Sequence, residues 1–386
     1  MGISSIRLSS PYNLDYAFDR TIDRGFSESI SQKGKKELAS RGHAMKAVRF
    51  HKHGGPEVLV YEEAPDPVPS NDEALVRVKA CALNHLDLWA RNGLPNVEIP
   101  LPHISGSDVS GVVEWVPQEE RTFNKGDEVI VNPGVGCGRC EKCLIGRDNQ
   151  CRYYTIIGYG NDGGYAELVK VPRTNLIRKP DSMSFEDAAS FPLVFLTAYH
   201  MLVTKARVVA GEKVLVLAAN SGVGSAAIQV AKLSGAEVIA TAGDQAKIER
   251  ARGLGADHTI HHYKQDVLAE VKRITGKRGV DIVVEHVGKA TWDGSVKALA
   301  KGGRLVLCGA TTGAEVVTDL RYVYNRELTI FGSFMASKGE LLKVVELFNA
   351  GRLKPVVDSV HPLERAAEAQ LRMEGSEHFG KIVLKV

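Results

Sequence analysis

The chain has 386 residues, 44% of them hydrophobic and 25% charged, with a formal net charge of +3. That length suits two domains rather than one, and the composition is that of a folded globular protein. So small a charge argues against a nucleic-acid or anionic-membrane surface, and no apolar run approaches the ~20 residues that span a bilayer.

Residues 1–44 are polar, rich in Ser, Arg and Gly, and without periodicity. Asp15, Asp19, Asp23, Glu28 and Glu37 speak against a transit peptide, and there is no apolar signal core. The stretch reads as a poorly ordered extension, or as the product of an upstream start codon. Met45 then opens a strand pattern, MKAVRFHKHGGPEVLVYEE. From 45 to 175 short β-runs follow, with ALVRVKACAL alternating at period two, then SGVVEWV and DEVIVNP, all punctuated by Gly and Pro.

The rhythm changes between 176 and 335. KVLVLAA is a continuous apolar run, as expected of a strand buried on both faces. After it come a helix pattern SGVGSAAIQVAKLSGA, strand EVIATA, helix QAKIERARGLGA, strand HTI and helix DVLAEVKRITG. VDIVVEHV, ATWDGSVKALAKG, GRLVLCG and a last strand near LTIFGSF continue the alternation. Such alternation predicts an α/β domain, a doubly wound parallel sheet with helices on both faces. The final segment, from SVHPLERAAEAQ to GKIVLKV, is expected to rejoin the first domain, so that 336–386 belongs with 45–175.

Four of six cysteines lie in CGRCEKCLIGRDNQC, within a lobe at about 132–155; Cys81 and Cys308 stand alone. A secreted disulfide framework would spread its cysteines along a shorter chain. The pattern predicts one metal site and two free thiols in a cytoplasmic protein.

AANSGVGSAAIQ joins the first strand of the second domain to its first helix. Against G-x-G-x-x-G it reads Ala219-Asn220-Ser221-Gly222-Val223-Gly224, and only the last glycine matches. The strand–turn–helix–strand setting carries the assignment: small residues admit a pyrophosphate to the backbone, and the helix N-terminus offers free N–H groups. Ser221, Gly222, Val223 and Gly224 are the cofactor candidates, the alternative being a structural glycine turn. An acid at the end of the next strand would select NAD. Here Thr241, Ala242 and Gly243 stand there, with Asp244 beyond and Lys247 on the following helix. NADP(H) is favoured; Lys247 is either a 2′-phosphate partner or a solvated helix lysine.

With GGPEVL, ALNHLDLWARNG, SGSDVSGVV, GDEVIVNP, FLTAYHML, LGAD and GKIVL added, residues 45–386 resemble the medium-chain dehydrogenase/reductase superfamily, which holds the zinc alcohol dehydrogenases and the quinone and enoyl reductases. The resemblance implies a GroES-like β domain plus a Rossmann domain, an active site in the cleft between them, and a homodimer or homotetramer. Cys137, Cys140, Cys143 and Cys151 reproduce the family's structural zinc lobe, C-x₂-C-x₂-C-x₇-C. Four thiolates saturate a tetrahedral zinc and leave no position for substrate; a metal-free remnant or disulfides are the alternatives. The family's catalytic zinc takes a Cys, the His of Gly-His-Glu and usually a later Cys. Those positions align with Asn84, Ser107-Asp108 and the region of Leu193, which cannot replace two thiolates and an imidazole. His85, His103 and Asp108 nearby make a poor site.

Chemistry without a catalytic metal points to the zinc-independent members, which reduce quinones or C=C bonds conjugated to a carbonyl; there the protein supplies positioning and donors for the enolate oxygen. Asn84 is the first candidate donor, or else the cap of the following helix, and Asp87 is expected to fix that helix. Tyr159 and Asn161 in GYGNDGGYAE are donor candidates or plain loop residues. Thr197 is expected beside the nicotinamide and Tyr263 near the adenosine phosphate, while His258, His261 and His262 read as surface residues. An altered alcohol dehydrogenase, a carboxylating enoyl-CoA reductase and a non-catalytic NADPH-binding protein remain alternatives. Acryloyl-CoA and enones are representative substrates.

Overall fold

The computed structural model describes residues 44–94 and 97–386; the extension expected at 1–44 lies, except for Ala44, outside the described residues. Two sheets dominate. A seven-stranded sheet runs in the order Val357–Pro362, Lys381–Lys385, Glu73–Ala82, Asp108–Trp115, Glu128–Val131 and Leu176–Arg178, with Leu168–Pro172 also paired to Glu73–Ala82. The C-terminal strand Lys381–Lys385 pairs with Val357–Pro362 on one side and Glu73–Ala82 on the other. Alternation along Glu73–Ala82 and its neighbours buries one continuous apolar cluster around Leu75, Val76, Val109, Val129, Tyr165 and Ile382.

The register of this sheet prepares a site. Ala82 pairs antiparallel with Asp108 on one side and with Val383 on the other. Antiparallel pairing extended two residues beyond Ala82 sets Lys381 across from Asn84. Asn84, Asp108 and Lys381 thus leave three adjacent strands at one end of the sheet.

The second sheet has six parallel strands in the order His258–His261, Glu237–Ala242, Lys213–Val216, Val280–Glu285, Leu299–Leu307 and Thr329–Gly332. Its central strands are apolar on both faces because helices cover both; Val214, Val216, Ile282 and Val284 face one cluster, Leu215, Ile239 and Val283 the other. The strand order reverses between Lys213–Val216 and Val280–Glu285. The loops leaving their carboxyl ends, at 217–221 and 286–289, flank the crevice where doubly wound sheets bind ligands.

Among the described helices of eight or more residues, two are absent from the sequence reading. Pro192–Tyr199, continued by a π-helical segment His200–Lys205, is buried at Pro192, Val194, Phe195, Leu196, Thr197 and Ala198, so it shows no polar face to mark its period. Lys338–Asn349 is capped by Ser337 with Glu340. Among the described residues no helix is long and apolar enough to cross a membrane.

Candidate active site

Asp108, beside the ligand-aligned Ser107, is hydrogen-bonded to the other two aligned positions, Asn84 and Leu193, and to Lys381. Asp108 Oδ1 accepts from Leu193 N at 2.8 Å, at the start of the buried helix Pro192–Tyr199. Asp108 Oδ2 accepts from Asn84 Nδ2 and from Lys381 Nζ, both at 3.0 Å. Lys381 Nζ also donates to Asn84 Oδ1 at 2.6 Å. All three are buried, Asp108 completely. The carboxylate and ammonium compensate each other, which is the condition for keeping either out of water.

Asn84 is therefore committed at both ends of its amide. It is also the N-cap residue of helix His85–Asn92, and its backbone N–H donates to Asp87 Oδ2 at 2.7 Å. The donor expected of Asn84 points to Asp108 within the protein. Asp87 fixes the helix start, accepting also from Tyr165 Oη and Gly106 N at 3.0 and 3.1 Å. Burial lifts its carboxyl to about 6 against those bonds. His85, the first helical residue, is pushed down to about 4 by burial and by the fields of His378, His286 and Lys381. His103 is no ligand: its Nε2 donates to Gly158 O at 3.0 Å.

The glycine loop is built as the sequence pattern requires. Ser221 caps helix Gly222–Leu233, its Oγ accepting from Gly224 N at 2.9 Å. A Cβ on Gly224 would stand 2.3 Å from Ala218 O, so the strand and the helix can meet this closely only with glycine. A Cβ on Gly222 would meet Val194 Cγ1 at 2.8 Å and Lys381 Cδ at 3.0 Å. Val223 is half-buried beside them. Across the crevice, His286 Nε2 donates to Leu217 O at 3.1 Å and lies 3.4 Å from Ser221 Oγ. From the first sheet's side, Gly380 N donates to Asn220 O at 2.8 Å, so the loop is held by the segment that carries Lys381.

At the end of strand Glu237–Ala242, Ala242 and Thr241 are buried, and Thr241 Oγ1 accepts from Ala218 N at 3.1 Å. No carboxylate occupies that strand end. Asp244 caps the next helix and pairs with Lys247 at 3.0 Å; Lys247 Nζ also donates to Ser376 O at 2.9 Å. Lys247 Nζ is thus held by Asp244 on its own helix and by Ser376 O, between helix Ala366–Glu374 and the C-terminal strand. Gly243 lies under His262 and Tyr263, and Tyr263 is 82% exposed, open to a ligand from solvent.

The other candidates sit less centrally. Thr197 is buried with its hydroxyl donating to Leu193 O at 2.7 Å, within its own helix. Tyr159 packs half-buried against the Phe50, Val58, Ala90 and Ile99 cluster, and burial raises its phenol. Asn161 is exposed. Sequence reasoning missed Lys381, His286 and His378; the motif GKIVL contains the lysine, but only the strand register assigns it a partner.

The sulfurs of Cys137, Cys140, Cys143 and Cys151 all lie within 4.8 Å of one another. A tetrahedral zinc with bonds of about 2.3 Å needs sulfurs roughly 3.8 Å apart, and Cys137 and Cys143 stand at 4.0 Å. Backbone N–H groups of Cys137 and Tyr153 donate to Cys151 Sγ at 3.4 and 3.3 Å, as suits thiolates. The set fits a closed four-thiolate metal site.

Residues 70–181 match the alcohol dehydrogenase GroES-like domain, and residues 222–350 match the zinc-binding dehydrogenase domain. The quinone oxidoreductase of Pongo abelii is 30% identical over 355 residues, covering 90% of this chain and 99% of that protein. A solved NAD-dependent alcohol dehydrogenase is 50% identical with a TM-score of 0.86, covering 89% of this chain and all of its own. A solved crotonyl-CoA carboxylase/reductase is 31% identical with a TM-score of 0.83, covering 89% of this chain and 88% of its own. The two matched domains, the two sheets and these relatives agree: the chain is an oxidoreductase of the medium-chain dehydrogenase/reductase superfamily.

Proposed function

We propose that this oxidoreductase uses NADPH to reduce a C=C bond conjugated to a carbonyl, in an enoyl thioester, an enone or a quinone, without a catalytic metal. The observation that carries the reading is the Asn84–Asp108–Lys381 constellation. The aligned ligand positions present an amide, a hydroxyl and an alkyl group, and the one carboxylate is already paired with an ammonium that would repel a metal cation. In relatives the metal stabilises an alkoxide; a conjugated carbonyl draws charge onto its own oxygen and needs only donors.

Ser221, Gly222, Val223 and Gly224 would hold the dinucleotide at the helix N-terminus, with Thr197 and Tyr263 along its length. When bound, the nicotinamide supplies a hydride. Ala242 in place of an acid supports NADPH, because no carboxylate there repels a 2′-phosphate, and Lys247 would exchange its protein partners for that phosphate. Tyr159 and Asn161 would line the substrate side. Cys137, Cys140, Cys143 and Cys151 would hold one structural zinc. Strand Thr329–Gly332 is paired on one side only among the described residues, with Ile330 38% exposed, which supports a homodimer or homotetramer. A cytoplasmic setting would keep the thiols reduced.

The alternative of carbonyl reduction or alcohol oxidation is favoured by the 50% identity to a protein named as an alcohol dehydrogenase. A cofactor-oxidation screen with acryloyl-CoA, crotonyl-CoA, simple enones, quinones and saturated aldehydes separates the two. Turnover confined to saturated aldehydes would refute the C=C reading.

A further inference from the structure

We propose that the cavity between the π-helical segment His200–Lys205 and the cysteine lobe binds a small organic anion, a carboxylate or phosphate group on a short apolar body. The site is separate from the residues assigned to hydride transfer, so it stands whichever acceptor the protein reduces.

The cavity has a volume of about 380 Å³, within the ~300–1,000 Å³ usual for small-molecule sites. His200 and Lys205, the two ends of the π-helical segment, both line it. They are five residues apart. In an α-helix that step would turn the second about 140° away from the first. The i→i+5 pairing of a π-helix sets such residues nearly one above the other, and segments of this kind recur at functional sites. Ser333 lines the cavity just past the end of strand Thr329–Gly332. Gln150 lines it from the cysteine lobe, whose Asn149 Nδ2 donates to Phe334 O at 3.2 Å. Neither Asn84, Ser107 and Asp108 nor any of the dinucleotide candidates is part of its wall.

Three polar groups of this wall lack partners among the described residues. His200 is 5% exposed and Ser333 7%, and neither His200 Nε2 nor Ser333 Oγ has a hydrogen bond. The half-buried Lys205 ammonium has neither an acceptor nor a carboxylate beside it. Buried polar groups without partners are rare in folded proteins, and two of them beside an unpaired cation mark the place of a guest.

The charge of the wall says what kind of guest. Its residues include one cation, Lys205, and no carboxylate. Glu340 stands behind His200, but its oxygens are spent on His200 Nδ1 at 2.8 Å, on Ser337 N and Oγ at 2.9 and 3.0 Å, and on Thr204 Oγ1. That carboxylate engages Nδ1–H and leaves Nε2 for the cavity. Nε2 accepts from a guest O–H when the ring is neutral and donates to a guest oxygen when it is protonated. A phosphate or carboxyl group can present either, and Lys205 and Ser333 supply further donors. Leu307 and Phe334 give the wall its apolar part, with Phe334 61% exposed and able to cover a short hydrocarbon body.

The test is isothermal titration calorimetry of the full chain, with NAD⁺ and NADP⁺ both at saturation so that the dinucleotide site is filled. Sodium butyrate and inorganic phosphate are the probes, butyramide is the uncharged control, and ionic strength is held constant. At least one of the two anions should bind about tenfold or more tightly than butyramide. Binding of butyrate alone assigns a carboxylate ligand, of phosphate alone a phosphate ester, and of both the shared anionic group. Lys205→Met should weaken the bound anion about 10–10²-fold, the usual weight of a hydrogen bond to a charged group, and Ser333→Ala about 2–10-fold. If Lys205→Met does not fold, Ser333→Ala, which leaves no orphaned group behind, carries the comparison. The affinity of Lys205→Met for NADPH should stay within about twofold of the unaltered protein's. The proposal is overturned if neither anion binds at about 50 mM, or if butyramide binds as tightly as both. It is also overturned if both substitutions leave the anion's affinity unmoved, or if NADPH affinity falls with Lys205→Met.

Discussion

Asp108→Ala removes the carboxylate that joins the strand Asp108–Trp115, the cap of helix His85–Asn92, the start of helix Pro192–Tyr199 and the C-terminal strand. Lys381 keeps only Asn84 Oδ1, with 4% of its side chain exposed, and Leu193 N loses its acceptor. Breaking a buried ion pair from one side costs about 3–5 kcal/mol, and orphaning a buried N–H about 1–3 kcal/mol. The two overlap, so a net loss of about 4 kcal/mol is expected. At ~2–4 °C per kcal/mol that is a drop of about 8–16 °C in Tm. Asp108→Asn keeps one acceptor oxygen, for Leu193 N or for Lys381 but not for both, and should lose less than Asp108→Ala. The assay is differential scanning calorimetry at fixed scan rate, on both variants and on Asp108→Asn with Lys381→Met. Removing both charges should recover part of the loss, because no unpaired charge stays buried. A Tm within about 2 °C for Asp108→Ala would refute the compensation argument, as would a double variant less stable than Asp108→Ala.

Cys140→Ser should lower bound zinc and Tm together, read by elemental analysis and calorimetry, with one zinc per unaltered chain; two tightly held zincs would contradict chemistry without a catalytic metal. Ala242→Asp should weaken NADPH binding by on the order of 1–3 kcal/mol through like-charge repulsion, and Lys247→Ala should weaken NADPH more than NADH, both by fluorescence titration. Equal binding of the two cofactors by the unaltered protein would overturn the NADPH assignment. Burial raises the Glu340 carboxyl, but His200, Thr204 and Ser337 N outweigh it and hold it at about 2. Its folded pKa lies below the unfolded value, so its contribution is full above about 4.5 and is lost as pH falls toward 2. Glu340→Gln should flatten denaturant stability between about pH 5 and 3, and an unchanged slope would remove Glu340 from the balance.

The parallel sheet was legible because buried strands of Val, Ile and Leu alternate with helices closed by glycine, and each of those elements is local. The four cysteines were legible for the same reason, since their spacing fits a single lobe. Asn84 and Asp87 carried a readable cap signal, three residues apart. Lys381 was not readable: its partner Asn84 is 297 positions away, and only the pairing of Ala82 with Val383 brings the two together. By itself a lysine at a strand start resembles a solvated end. The helix Pro192–Tyr199 was hidden by burial on all sides, which erases amphipathic periodicity. Lys247 shows the converse: a helix lysine that pattern leaves ambiguous is bound to Asp244 and to Ser376 O, a partner 129 positions away.

The most direct test of conjugate reduction follows the hydride. The unaltered protein is given NADPH deuterated at the transferred position and an enone, and the product is analysed by mass spectrometry and NMR. Deuterium at the β-carbon of a saturated carbonyl product is the predicted result. Deuterium at the carbinol carbon, with the double bond intact, would make the protein a carbonyl reductase and contradict it.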